Sequence, residues 1–225
     1  MGKVLIVANL KSYKNENEAK NWLESFKKIK ELNLDWSQKE IIICPSFTQL
    51  FSFFSYFSSN NINVKLGAQN VSPYAEGAFT GEVNAKQIKD FAEYVLIGHS
   101  ERRTNFGETE QMLEEKVKRT IELDLKPIFF AQNVNTTIPS GVKIGVYEPP
   151  NFISTVSKGI PDDPKAVLDA AGKLKSKYML ENILYGGSVD SNNVSNFTSL
   201  GVVDGVVPGR ASLDAQEFIK IIQNA

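Results

Sequence analysis

The chain holds one cysteine, Cys44, and one histidine, His99, among its 225 residues. A lone thiol cannot close an internal disulfide, and one thiol with one imidazole does not furnish a cysteine- or histidine-based zinc site. Those two scarcities exclude a disulfide-stapled secreted scaffold and a zinc enzyme, and they make a reducing compartment, the cytoplasm, the expected location. An excess of charge of either sign is also missing. Lys and Arg total 25 against 26 Asp and Glu, a net charge of −1, so no global field recruits nucleic acid or an anionic membrane surface. Long apolar runs are absent: the opening run Val4 to Ala8 is broken by Asn9 and Lys11, far short of a signal peptide or a membrane span. No Gly/Ser-rich or Pro-rich linker divides the chain.

What is present suits a large core, with 42% hydrophobic and 10% aromatic residues. Apolar, β-branched runs recur at Val4 to Val7, Ile41 to Ile43, Ile62 to Leu66, Tyr94 to Ile97, Pro127 to Phe130, Val142 to Tyr147, Asn182 to Tyr185 and Val202 to Val207. Most are separated by segments with helical spacing, such as Ala19, Trp22, Leu23, Phe26, Ile29 and Met112, Leu113, Val117, Thr120, Ile121. Runs that are apolar throughout suit strands buried on both faces of a parallel sheet. The expected fold is therefore α/β, one (β/α)8 barrel of eight parallel strands spanning residues 1–225 as a single domain, with a doubly wound open sheet as the alternative. At 225 residues the chain is shorter than the ~250 typical of the barrel. The compression falls between Phe130 and Val142, so the fifth helix is expected to be short or missing. The segment Phe47 to Phe57 carries six aromatic residues. Its spacing predicts a buried stripe of Phe47, Leu50, Phe51, Phe54 and Phe57, with Phe53 and Tyr56 pointing elsewhere, toward a subunit contact.

In such a barrel the chemistry sits just beyond the carboxyl ends of the strands. Asn9, Leu10 and Lys11 follow the first strand; Gly98, His99, Ser100 and Glu101 follow the fourth; Glu148, Pro149 and Pro150 follow the sixth. A lone histidine can be a satisfied structural residue. At a strand end with a helix about to begin, it is also placed where helix amides keep an imidazole neutral and able to hydrogen-bond a substrate oxygen. Glu148 has the bland reading of a loop glutamate, but two prolines stiffen the start of the next segment and leave Asn151 to Gly159 as a hinged tip over a general base. Tyr185-Gly186-Gly187-Ser188 and Pro208-Gly209-Arg210 follow the seventh and eighth strands. Glycines there let backbone amides approach a ligand, and together they read as a phosphate cradle.

With Asn9-Leu10-Lys11, Ile97 to Arg103, Tyr147-Glu148-Pro149, Tyr185 to Ser188, Asp204-Gly205 to Leu213, and the stretch Gly67 to Val71 through Gly77 to Val83, nearly the whole chain resembles the triosephosphate isomerase family. The short length and Glu148-Pro149-Pro150 are most similar to its compact archaeal type, which tends to tetramers where other members are dimers. The resemblance implies interconversion of dihydroxyacetone phosphate and glyceraldehyde 3-phosphate with no cofactor and no metal. It makes Glu148 the base, His99 the group that polarises the carbonyl, Lys11 and Asn9 stabilisers of the negative charge, and Glu101 a supporting residue. Gly187, Ser188, Gly209, Arg210 and the lid residue Ser154 would hold the phosphate. Thr80 and Glu82, in an interlocking loop, and Arg102 would meet across subunits of a homodimer or homotetramer.

Three positions depart from the family pattern. The lid tip is usually Gly-Thr-Gly, whereas here Ile153 is followed by Ser154-Thr155-Val156; the second glycine of the last loop is replaced by Arg210; and Phe130 stands at the place of a common cysteine. Arg210 either strengthens phosphate binding or obstructs it. A non-catalytic phosphate-ligand binding protein on the same barrel is the competing reading, against which the joint presence of Lys11, His99 and Glu148 argues, because a binding module needs no base.

Overall fold

The computed structural model describes residues 2–152 and 160–225. Eight strands run parallel and pair in sequence order, and the last pairs with the first to close a barrel. They are β1 Val4–Asn9, β2 Lys39–Cys44, β3 Lys65–Ala68, β4 Tyr94–Ile97, β5 Lys126–Ala131, β6 Ile144–Tyr147, β7 Asn182–Tyr185 and β8 Gly205–Val206. Closure comes down to two residues of β8. Gly205 pairs with both Leu5 and Leu184, and a Cβ at this position would collide with the Leu5 carbonyl oxygen, so only glycine lets the first and last strands approach.

The apolar runs are buried on both faces, as a covered parallel sheet requires. Leu5, Val7, Ile42, Cys44, Leu96, Ile128, Phe130, Val146 and Leu184 form the packed interior of the barrel, while alternating neighbours such as Ile6, Ala8, Ile41, Ile43, Val95, Ile97 and Phe129 face the surrounding helices. Burial holds the Cys44 thiol well above its usual pKa, which leaves it a packing group.

The helices are α1 Glu16–Phe26, α2 Leu50–Asn60, α3 Ala85–Lys89, α4 Ser100–Phe106, α5 Glu110–Glu122, α6 Pro164–Tyr178, α7 Val194–Thr198 and α8 Ala215–Asn224. Their starts follow local chemistry: Asn15 with Glu18 and Asn84 with Gln87 form capping boxes for α1 and α3, and Thr109, Asp163 and Asp214 cap α5, α6 and α8. Two helices lie between β4 and β5 and none between β5 and β6, so the fifth crossover is the compressed one. There, Thr136 Oγ1 accepts the amides of Gln132 and Asn133, and turns replace the helix.

Several boundaries and faces differ from expectation. The third strand begins at Lys65, not Ile62, and the eighth is confined to Gly205 and Val206. In the aromatic segment, Phe53 is fully buried and Phe51 is 63% exposed, the reverse of the expected stripe. Phe47–Gln49 form a 3-10 turn and the α-helix begins only at Leu50, which shifts the phase of the face. The buried set becomes Leu50, Phe53 and Phe57, with Phe53 and Phe57 packed on Trp22 and Phe26 of α1; Phe51 and Phe54 stand outside, edge-on to Phe91. In α5 the expected apolar stripe loses Met112 and Ile121 to the surface and gains Lys116, only 2% exposed, whose ammonium reaches Glu108 and Asn70.

Candidate active site

Three loops bring the charged residues together over the carboxyl ends of the strands. Lys11, just past β1, has a left-handed backbone with φ 51°, a conformation that costs a non-glycine residue about 1–2 kcal/mol. Two side chains hold it there. Asn9 Oδ1 accepts the Lys11 amide at 3.1 Å, and Gln69, just past β3, donates to the carbonyls of Lys11 and Cys44, each at 2.9 Å. The Lys11 ammonium then meets Glu101 Oε1 at 2.5 Å.

His99 caps α4: its Nδ1 accepts the Glu101 amide at 3.2 Å. A ring nitrogen that accepts a backbone N–H carries no proton, so the imidazole is in the Nε2–H tautomer. That Nε2–H points at Glu148 Oε1, 3.0 Å away. Phe130 packs edge-on against the imidazole with ring centroids 5.0 Å apart, so the residue at the cysteine's place supports the histidine.

Glu148 directly follows β6 and is 1% exposed. Its backbone amide donates to Ala131 O at 2.9 Å, and its second carboxylate oxygen accepts the Ser100 amide at 2.9 Å. A buried carboxylate thus has both oxygens satisfied by donors of one neighbouring loop. Arg103 pins that loop to β5 by donating to Gly98 O at 2.8 Å and Phe130 O at 3.2 Å.

Of the expected phosphate residues, Gly187 and Ser188 are buried just beyond β7. Ser188 donates both its amide and its hydroxyl to Phe152 O, each at 2.9 Å, tying this loop to the residue at the foot of the lid. Gly209 lies against Lys11, whose Cε is 3.2 Å from the position a Cβ would take, and Arg210 is exposed. Ser154 and the altered lid tip lie outside the described residues. Thr80 and Glu82 sit in an exposed loop from Tyr74 to Glu82 in which Tyr74 and Phe79 stack at 4.3 Å. Arg102 is half-buried on α4 and pairs through Nε with Glu108 at 2.5 Å; Glu108 also takes Lys116. Burial lowers the Lys116 pKa, while Glu108 opposes the shift.

The structure therefore joins Asn9, Lys11, His99, Glu101 and Glu148 in one connected cluster, with Gly209 beside it. Three contributors had no role assigned from sequence: Gln69, Arg103 and the Glu108–Lys116 pair. Gln69 directly follows β3, the same positional signal that singled out Lys11 and His99, whereas Arg103 lies within α4. Among the described residues no group of three or more His, Cys, Asp or Glu could hold a metal ion, and no helix is long and apolar enough to cross a membrane.

Comparison with known proteins agrees with this geometry. The family model for triosephosphate isomerase matches residues 4–146 and 138–225. The triosephosphate isomerase of Endomicrobium trichonymphae is 34% identical over 99% of both chains, and that of Dictyoglomus turgidum is 34% identical over the full length of both. Among solved structures, triosephosphate isomerase from Bartonella henselae superposes with a TM-score of 0.80 at 23% identity, covering 99% of this chain and all of that one, which establishes the shared fold. Motifs, barrel and relatives converge, and the chain belongs to the triosephosphate isomerase family.

Proposed function

We propose that this chain is an isomerase that interconverts dihydroxyacetone phosphate and D-glyceraldehyde 3-phosphate through an enediolate, in glycolysis and gluconeogenesis, with residues 1–225 working as one barrel domain in the cytoplasm. The observation that carries the reading is the contact between a buried carboxylate, Glu148, and an imidazole whose tautomer is fixed by a helix amide. Glu148 is the buried carboxylate of this site, and its contact with the imidazole puts it within reach of a carbon whose carbonyl His99 holds.

The roles follow from the donors. The Nε2–H of His99 is the hydrogen bond that a substrate carbonyl would use, and Glu148 occupies it here. Substrate binding exchanges that bond: the carbonyl oxygen takes the Nε2–H, and the carboxylate turns to the carbon, removes its proton and returns it to the neighbouring carbon. Meanwhile His99 Nε2 gives its proton to the former carbonyl oxygen and takes the one on the neighbouring hydroxyl, so that carbonyl and hydroxyl exchange places. Negative charge grows on the two oxygens between His99, the Lys11 ammonium and Asn9, groups whose positions are set before the substrate arrives. Glu101 holds the ammonium in place. Backbone amides of Gly187, Gly209 and Arg210, with Ser154 of the lid, take the phosphate, joined by the Ser188 amide when it leaves Phe152 O; the break between strand and 3-10 turn at Gly209 favours such an approach.

The protein works as a homodimer or homotetramer. The support is an exposed loop carrying Tyr74, Phe79, Thr80 and Glu82, with Tyr13 and Phe106 also uncovered in the single chain. Arg102, which pairs with Glu108, and Glu82 are both close enough to Lys116 for their charges to act on it. A coupled assay of glyceraldehyde 3-phosphate isomerisation on the unaltered chain and on Glu148→Asp and Glu148→Gln tests the reading. Turnover that collapses with the glutamate supports it, and a folded oligomer without turnover removes it. Sedimentation that finds a fully active monomer removes the oligomer.

A further inference from the structure

Around the carboxyl ends of the strands nearly every cation is committed. Lys11 meets Glu101 at 2.5 Å, Arg102 and Lys116 share Glu108, Arg103 meets Glu110 at 2.6 Å, and Lys14 donates to Leu213 O at 2.8 Å. Arg210 is the contrast: it is exposed and makes no hydrogen bond or ion pair through its side chain among the described residues.

The backbone before and after it, however, is held. Ser212 Oγ donates to Gly209 O at 2.7 Å and to Asn9 O at 3.2 Å, the Asn9 amide donates to Pro208 O at 3.3 Å, and Trp22 Nε1 donates to Ser212 O at 3.0 Å. Gly209 in turn rests on the Lys11 side chain. An uncommitted guanidinium thus extends from a fixed loop, one residue along from the contact between Gly209 and the Lys11 side chain. Placing a second cation near Lys11 is unfavourable by itself and becomes favourable when a doubly charged anion joins them.

We propose that the Arg210 guanidinium is a specificity-determining phosphate contact, closing on the dianionic phosphate of the substrate from the solvent side and supplementing the backbone amides. Arginine suits the task because its planar fork matches two phosphate oxygens at once. The inference rests on the isomerase reading for the identity of the ligand, but its chemistry is that of a phosphate dianion and is testable without turnover.

The test compares the unaltered chain with Arg210→Gln and Arg210→Lys, by steady-state isomerisation across ionic strengths and by calorimetric titration with inorganic phosphate. For Arg210→Gln, KM and the phosphate Kd are expected to rise about tenfold, with a much smaller fall in kcat, the signature of a lost charge-assisted bond to a bound phosphate. The salt dependence of kcat/KM should flatten in Arg210→Gln and return in Arg210→Lys, which restores charge but not the fork. Unchanged or lowered KM and Kd in Arg210→Gln overturn the proposal and leave the arginine an obstruction or a bystander. If the unaltered chain binds phosphate without turnover, the isomerase reading fails and the Kd comparison still decides the role of Arg210. If it binds none, both fall.

Discussion

The two ends of the barrel draw on the same kinds of charged residue, lysine and glutamate, and use them in opposite ways. At the carboxyl ends Glu148 is buried with both oxygens held by one loop, and Lys11 sits in a left-handed conformation secured by Asn9 and Gln69. At the amino ends the Lys65–Glu93 and Lys143–Glu181 pairs lie in solvent. Even the more enclosed Tyr94, bonded to Glu40 and overlaid by Lys126, borders an open cavity of about 570 Å³. Solvent makes the lower pairs cheap to form and worth little. The upper groups are costly to bury, and hydrogen bonds from neighbouring backbone and side chains hold them in place.

The largest test of this contrast is at Glu148. Glu148→Gln should lower kcat about a thousandfold at a cost of about 1–3 kcal/mol in stability, because the amide oxygen still accepts the Ser100 N–H while its NH2 group faces the His99 Nε2–H. A variant whose loss of activity is no greater than its loss of stability explains would place the residue with the scaffold. Gln69→Ala comes next. Two hydrogen bonds to backbone carbonyls are lost, about 1–2 kcal/mol and a fall of about 4 °C in Tm for a chain of this size. Activity should fall further than stability alone explains, since the Lys11 conformation loses its support.

Alkali should strain both ends alike. Tyr56 is pushed up to about 12 by burial and by Glu24, and burial drives Tyr94 and Tyr185 higher still. In the folded chain these phenols keep protons that the unfolded chain sheds near pH 10, so their stabilisation is complete below that pH and is lost as pH rises through the folded values. The urea midpoint should decline from about pH 10 upward, with tyrosinate absorbance rising as the chain unfolds. The smallest effect belongs to Lys65→Ala, where breaking an exposed pair should change stability by less than about 1 kcal/mol and leave turnover untouched. A larger loss would mean that the amino-end charges form a network.

The barrel was legible because each strand of a covered parallel sheet announces itself as an apolar run, and Tyr94–Ile97 and Asn182–Tyr185 fall at the expected residues. Helix faces were less so. A three-residue 3-10 turn before Leu50 shifts the phase of a periodicity counted from Phe47, and no hydropathy pattern anticipates that a lysine at position 116 will be buried with Glu108. The candidate cluster was legible by position: Lys11, His99 and Glu148 each lie just beyond a strand. Gln69 does too, but its work is on another residue's backbone, which spacing along the chain does not reveal.

The narrow closure at Gly205 also bears on how the protein is made. Until β8 arrives, β1 has an unpaired edge, and the other side of the gap is β7. During synthesis the growing chain therefore carries two exposed strand margins that invite pairing with other nascent chains. They are sealed by a two-residue strand whose glycine tolerates no replacement, so a lesion there should show first as aggregation in the cell and only then as lost catalysis.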